Sequence, residues 1–209
     1  MYLIFDTETT GLPKKWNAPV SDIDNWPRCV QLAWQVHDSL GNCIDNKDFL
    51  IKPDRYNIPY DSEKIHGIST ELAEKDGHNL LDVLKQFNEA VKESKFVIGH
   101  NVKFDLNIMG CEFYRANLQN NLDVANILDT CYEKTALLCM IPGGRGGKYK
   151  FPTLTELHSF LFSKPFAEAH NATADVEATA RCFLELIRIK NYSLTELEQP
   201  DGYYEDFLK

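Results

Sequence analysis

The sequence predicts an α/β domain: a mixed five-stranded sheet with helices on both faces. Two features of the chain carry that prediction. Three strand-like segments follow one another near the N-terminus, the order of an antiparallel meander. After them, short apolar runs alternate with stretches of helical spacing, the order of strands joined by helical crossovers. The length of 209 residues suits a single core.

Residues 2–8 form the first strand, where Tyr2-Leu3-Ile4-Phe5 run into Asp6 and Glu8. Residues 12–27 are polar and broken by Pro13, Pro19 and Pro27, which makes them a loop. Residues 29–37 alternate enough for a second strand, Ser39-Leu40-Gly41-Asn42 is a turn, and residues 43–52 return antiparallel. From Asn79 to Ser94, Leu80, Leu81, Leu84, Phe87, Ala90 and Val91 recur at helical spacing. Phe96-Val97-Ile98-Gly99 is a short buried strand, with a helix from His100 to Leu118 behind it. Residues 127–130 make the last strand, and Leu154–Phe162 and Thr173–Lys190 the last helices. Residues 191–209 are polar and acidic with scattered aromatics. The expected organisation is a domain over 1–190 and a C-terminal tail over 191–209. That order of elements fits an RNase H-like α/β domain.

Composition narrows the function. The formal net charge is -9. A protein that tracks long nucleic acid by counterion release carries a basic footprint, and this chain has none. If it handles nucleic acid, it grips a short stretch, with metal ions and local contacts supplying the attraction. The six cysteines lie far apart and form no C-x-x-C, so reduced thiols are expected rather than a zinc site. No apolar run approaches the roughly 20 residues of a membrane helix. No basic segment precedes the first apolar run, so no signal peptide is expected and the cytoplasm is the expected location.

The acids carry the chemistry. Asp6 and Glu8 are two apart on a strand, so both point to one face while Thr7 points to the other. Like charges held that close repel, and a divalent cation removes the repulsion. Carboxylate oxygens are the hard ligands that Mg²⁺ or Mn²⁺ prefers. Asp105 falls in the first turns of the helix after Gly99, a place where the helix dipole alone would favour an acid. Asp175 falls in the first turn of the last helix, with Asn171 or Thr173 available as its cap. His170 precedes that helix on a loop. Each of these residues has a bland explanation singly; together they place four acids and one imidazole at strand or helix ends, where ligands gather in sheet-based domains.

Three segments then become specific: Phe5-Asp6-Thr7-Glu8-Thr9-Thr10-Gly11, Gly99-His100-Asn101-x-x-Phe104-Asp105, and His170-x-x-x-x-Asp175. Their order and content resemble the three motifs of the DEDDh (DnaQ-like) 3′→5′ exonuclease family, across residues 2 to 190. That family includes the proofreading epsilon-type subunits of replicative DNA polymerases, RNase T and oligoribonuclease. The resemblance implies two divalent metal ions, Mg²⁺ or Mn²⁺, held by Asp6, Glu8, Asp105 and Asp175, with Asp6 bridging. It implies His170 as general base, and substrate contacts from Thr9, Gly11, Leu12, Ile65, His66 and Asn101. It implies single-stranded DNA or RNA 3′ ends as substrate and a DNA polymerase as a possible partner. An RNA-trimming exoribonuclease, or a non-catalytic module binding nucleic acid or a polymerase, would use the same motifs differently.

Several segments keep two readings. Ile65-His66-Gly67-Ile68 either packs on the terminal base or is a helix end stopped by Gly67. Asn101 is near the substrate strand or caps a helix. The Gly-rich stretch from Pro142 to Lys150 lacks a Walker pattern and reads as a solvated loop or a flap on phosphates. Trp16 and Trp26 stack on a base or anchor their loop.

Overall fold

The computed structural model of the protein describes residues 1–164, 166, 171–189 and 191. Its strands are β1 (Tyr2–Thr9), β2 (Cys29–His37), β3 (Cys43–Leu50), β4 (Phe96–Gly99) and β5 (Ile127–Asp129), arranged β3-β2-β1-β4-β5. The first three form the antiparallel meander, and β4 and β5 add in parallel, so the mixed five-stranded sheet is the one expected. Helices α1 (Tyr60–His66), α2 (Thr70–Asp76), α3 (Leu80–Glu93), α4 (Lys103–Arg115), α5 (Glu133–Cys139), α6 (Leu154–Phe162) and α7 (Ala172–Arg188) surround it. Among the described residues no helix is long and apolar enough to cross a membrane. All six cysteines are free thiols.

β1 is central and buried on both faces, so its alternation sorts side chains between two cores. Leu3 and Phe5 pack with Trp34, Leu84, Phe87 and Ile108 on the side of α3 and α4. Tyr2 and Ile4 pack with Ala33, Ile98, Val176, Ala180 and Phe183 on the side of α6 and α7. Carried two residues further, the same parity puts Asp6 and Glu8 on the α7 side and Thr7 on the α4 side. One strand therefore presents polar groups to two layers at once.

Helix α7 is capped by Asn171, whose Oδ1 accepts from the N–H groups of Thr173 and Ala174 at 3.1 and 3.3 Å. The N–H of Ala172 donates to Gln31 Oε1 at 3.3 Å, which pins the start of the helix over β2. Gln31 is the register partner of Glu8. Asp175, one turn into the helix, is thereby brought over the acidic end of β1.

The structure also departs from the sequence reading. Helices α2 and α5 were not expected, and of α1 only the stop at Gly67 was, as one of two readings; each is 7 residues, too short for a period of 3.6 to show. Strand β3 stops at Leu50 rather than 52, because Ile51 bridges to His78 and Pro53 follows. Helix α4 begins at Lys103 rather than His100, because Asn101 turns the backbone at φ 58°.

Candidate active site

Three carboxylates converge at the end of β1. Ligand oxygens of Asp6, Glu8 and Asp175 all lie within 4.8 Å of one another. No hydrogen-bond donor among the described residues reaches the carboxylate of Asp6 or Glu8. Burial pushes Asp6 well above the ordinary carboxylate range, and the charges of Asp105, Asp175 and Glu8 push it further. Burial, then Asp175 and Asp105, raise Glu8 to about 8. A half-buried group of acids that cannot all ionise is a poor resting state for a protein alone. Hard oxygen donors, converging and under-neutralised, are the donor set that suits a divalent cation such as Mg²⁺ or Mn²⁺. The residues fit the group.

Asp105 stands apart from that trio. It is fully buried on the α4 side, and its Oδ1 accepts from the Thr7 N–H at 3.1 Å and the Thr7 hydroxyl at 2.5 Å. Thr7 is the residue between Asp6 and Glu8, so Asp105 grips the motif from below while its charge reaches both acids above. Burial raises Asp105 to about 7; the Thr7 hydrogen bonds oppose that rise and Asp129 adds to it.

His170 lies outside the described residues. The residue after it, Asn171, is the cap of α7.

The expected substrate contacts fall around the same strand end. The Thr9 hydroxyl donates to Gly11 O at 2.7 Å, closing a turn that Gly11 enters at φ 138°, a conformation that favours glycine. Leu12 beyond it is 73% exposed. Helix α1 abuts this turn: a Cβ on Gly11 would stand 3.9 Å from Ser62 Oγ. Gly67 does stop α1, in the left-handed conformation, so the helix-end reading of residues 65–68 holds. The other reading keeps support, because Ile65 is exposed while His66 is buried. His66 Nδ1 accepts from the Ile68 N–H at 3.1 Å, so Nε2 carries the proton. That buried N–H makes no well-formed hydrogen bond among the described residues, although the Thr9 backbone lies beside it. Asn101 is exposed and makes no side-chain cap to α4.

Two residues that sequence reasoning passed over organise the site. Asp129, at the end of β5, accepts the N–H groups of Asn101, Val102 and Cys131 at 2.8, 3.1 and 2.7 Å. It caps α4 from a neighbouring strand and so sets where Asp105 stands. Burial raises it to about 6 against the pull of those amides. Glu112 is 0% exposed on α4 and takes Arg28 Nε and the Cys29 N–H at 2.9 Å each, with Arg115 at 3.1 Å. Arg115 continues to the Ile23 and Trp26 carbonyls at 2.6 Å, stapling the loop after β1 to α4. A signal existed for both: Asp129-Thr130 repeats Asp6-Thr7 as an acid ending an apolar run, and Glu112 shares the buried stripe of Ile108 and Met109.

The remaining segments resolve unequally. Trp26 is 3% exposed with its indole N–H donating to Pro19 O at 3.1 Å, an anchor. The Gly-rich loop is exposed; the Lys150 N–H closes it on Ile141 O at 2.9 Å, and Lys150 Nζ pairs with Glu156 at 2.6 Å. His100 ties the segment after it to the sheet, Nε2 3.0 Å from Pro152 O and Nδ1 2.9 Å from Thr130 Oγ1.

Comparison with known proteins agrees with this architecture. The exonuclease family RNase_T matches residues 3–183. The chain belongs to that family, and its fold is the RNase H-like one of exonuclease domains. A DNA polymerase III subunit epsilon-like protein of Rhodobacter capsulatus is 29% identical over 188 residues, covering 89% of this chain and 23% of that one. DNA polymerase III subunit epsilon of Pasteurella multocida is 38% identical over 132 residues, covering 61% of this chain and 48% of the relative. The chain thus spans less than half the length of these relatives. E. coli exonuclease I in complex with a dA16 oligonucleotide superposes with a TM-score of 0.68 at 23% identity, over 90% of this chain and 40% of that one. Exonuclease X in complex with 5′ overhanging duplex DNA superposes over 100% of both chains, with a TM-score of 0.62 at 20% identity.

Proposed function

We propose that this domain, residues 1–190, is a metal-dependent 3′→5′ exonuclease that releases nucleoside monophosphates from single-stranded DNA ends in the cytoplasm. The observation that carries the reading is the convergence of Asp6, Glu8 and Asp175 from β1 and α7 within 4.8 Å. Two divalent cations, Mg²⁺ or Mn²⁺, would neutralise these acids and stabilise charge on the attacking and leaving oxygens. Asp6 would be the ligand common to both, Glu8 and Asp175 would help hold the one that activates the attacking water, and Asp105 would support the second. That supporting role suits a carboxylate whose Oδ1 is engaged by Thr7.

His170 takes the proton of the attacking water. An imidazole with a pKa near ~6.5 is matched to that work. The support is its place in the chain, next to the cap that fixes Asp175 over β1. The Thr9–Gly11 turn, exposed Leu12 and Ile65, Asn101 and the unmet N–H of His66 face the terminal nucleotide. A buried donor without a partner costs free energy, and a nucleotide oxygen or base acceptor would satisfy it. The tail, residues 191–209, is proposed as a contact for a DNA polymerase, in line with the epsilon subunits among the relatives.

A gel time course tests the reading. A 5′-labelled DNA oligonucleotide and its RNA counterpart are incubated with Mg²⁺, Mn²⁺ or EDTA, beside an Asp6→Ala control. A cation-dependent ladder shortening from the 3′ end of DNA is the expected result. Faster trimming of the RNA would make the enzyme an exoribonuclease of the RNase T kind. No cleavage of either strand would leave a binding module or a subunit active only beside its polymerase.

A further inference from the structure

We infer that Trp16, with Lys14 and Lys15, is a stacking platform for single-stranded DNA upstream of the terminal nucleotide. The inference rests on the exonuclease reading and assigns a residue that none of the three motifs contains.

The two tryptophans of the loop after β1 have opposite environments. Trp26 is buried and bonded. Trp16 is 54% exposed, and its inner edge leans on Phe104 with ring centroids 5.9 Å apart and planes at 51°. Phe104 is the residue before Asp105, so the indole leans on the turn of α4 that carries Asp105.

The loop around Trp16 is built. Asn25 is itself buried, and its Oδ1 accepts the Lys15 N–H at 2.7 Å while its Nδ2 donates to Lys15 O at 3.0 Å. The Lys14 N–H donates to Asn25 O at 3.2 Å. A buried amide is committed to holding the residue before an exposed indole. An anchor would not need that, because Trp26 already performs the anchoring and the core is complete without Trp16.

Charge supports the same conclusion. In a chain of net charge -9, Lys14 and Lys15 are adjacent cations in the loop that follows the acidic end of β1. Both are exposed, and neither makes an ion pair among the described residues. Aromatic rings flanked by cations that follow a phosphate backbone are how proteins hold single strands without reading sequence. The site's acids repel a polyanion, and this short basic segment offsets that repulsion where the strand leaves.

The test is binding, measured by fluorescence with Ca²⁺ in place of Mg²⁺, for a dT8 oligonucleotide and a dT2 dinucleotide. Wild type should bind dT8 with quenching of the exposed indole. Trp16→Ala should weaken dT8 roughly tenfold and dT2 much less, and Trp16→Phe should restore most of the loss. Lys14→Gln with Lys15→Gln should flatten the log–log salt dependence of dT8 binding by about 1.4. Equal dT8 affinity in wild type and Trp16→Ala overturns the platform while a normal cleavage ladder leaves the exonuclease reading intact. Equal losses in Trp16→Ala and Trp16→Phe with a lowered melting temperature also overturn it, making Trp16 a structural anchor. Tighter, equally Trp16-dependent binding of U8 RNA overturns the assignment to DNA. Neither binding nor cleavage of any strand by wild type removes both readings.

Discussion

The two faces of β1 handle buried acids in opposite ways. On the α7 side, Asp6, Glu8 and Asp175 face one another, and each charge makes the next harder to form. On the α4 side, Asp105, Asp129 and Glu112 are held by Thr7, by three backbone amides, and by two arginines with an amide, respectively. Burial of a carboxylate therefore does not by itself mark a metal ligand. The neighbours matter as well: donors hold Asp129 and Glu112 in the scaffold, Thr7 fixes Asp105 beside the site, and Asp6 and Glu8 face other acids, an arrangement that an external cation would relieve. One strand separates the two classes because its side chains alternate.

The contrast is broken most severely at Asp6. Asp6→Ala should abolish cation-dependent cleavage, and calorimetry should find Mn²⁺ uptake lost; normal uptake would sink the shared-ligand role. In the absence of cation the same variant should be no less stable than wild type, since a repelling charge has gone. His170→Ala comes next: turnover should fall roughly 10²-fold or more with cation binding nearly intact. Unchanged turnover would remove His170 from the chemistry. On the scaffold side, Glu112→Ala should lower stability by about 3 kcal/mol, because Arg28 and Arg115 lose their shared partner. Denaturant unfolding measures it, and a loss equal to that of an exposed Glu→Ala change would refute the staple.

The pH dependence sharpens the comparison further. Glu8 at about 8 and Asp105 at about 7 keep their protons in the folded chain well above the pH at which ordinary carboxylates lose them. The native state then binds more protons than the unfolded one, so stability falls as pH rises. The contribution is complete below the ordinary carboxylate range and is lost as pH passes through about 7 and about 8. Melting of the cation-free protein should therefore drop from about pH 4 to about pH 8 and level off above that, by up to about 1.4 kcal/mol per pH unit for each proton. Saturating Mg²⁺ or Mn²⁺ should restore it. A flat cation-free profile would mean that the acids are not crowded.

Much of this division was legible before any coordinates. The parity of Asp6, Thr7 and Glu8 follows from the strand alone, and Asn171 was one of two caps the chain offered for α7. What could not be read was which layer lies over which face. Asp105 reads in the sequence as one of four acids at strand and helix ends, and only the placement of α4 beneath β1 shows it bonded to Thr7. Of helix α1 only the stop at Gly67 is legible, because its 7 residues show no period, so the contact between Ser62 and the Gly11 turn has no sequence signal. Trp16 and Trp26 were equivalent in the sequence, and the loop's path over α4 is what separates them.

The smallest expected effect tests how the scaffold side serves the other. Asp129 accepts the amides of Asn101, Val102 and Cys131. It holds the amides that begin α4, and α4 holds Asp105 against Thr7. Asp129→Asn keeps the shape and one acceptor oxygen but cannot receive amides on both sides of the group. The cost should be about 1 kcal/mol of stability, the scale of a weakened hydrogen bond to a charged group. Cleavage should fall modestly, with turnover affected more than substrate affinity, because the defect lies in where Asp105 stands. Thr7→Val should produce a similar split by removing the hydroxyl partner of the same carboxylate, and combining the two changes should cost less than their sum. Full additivity would mean that Asp129 and Thr7 act on the site independently, and the line from β5 through α4 to β1 would be broken.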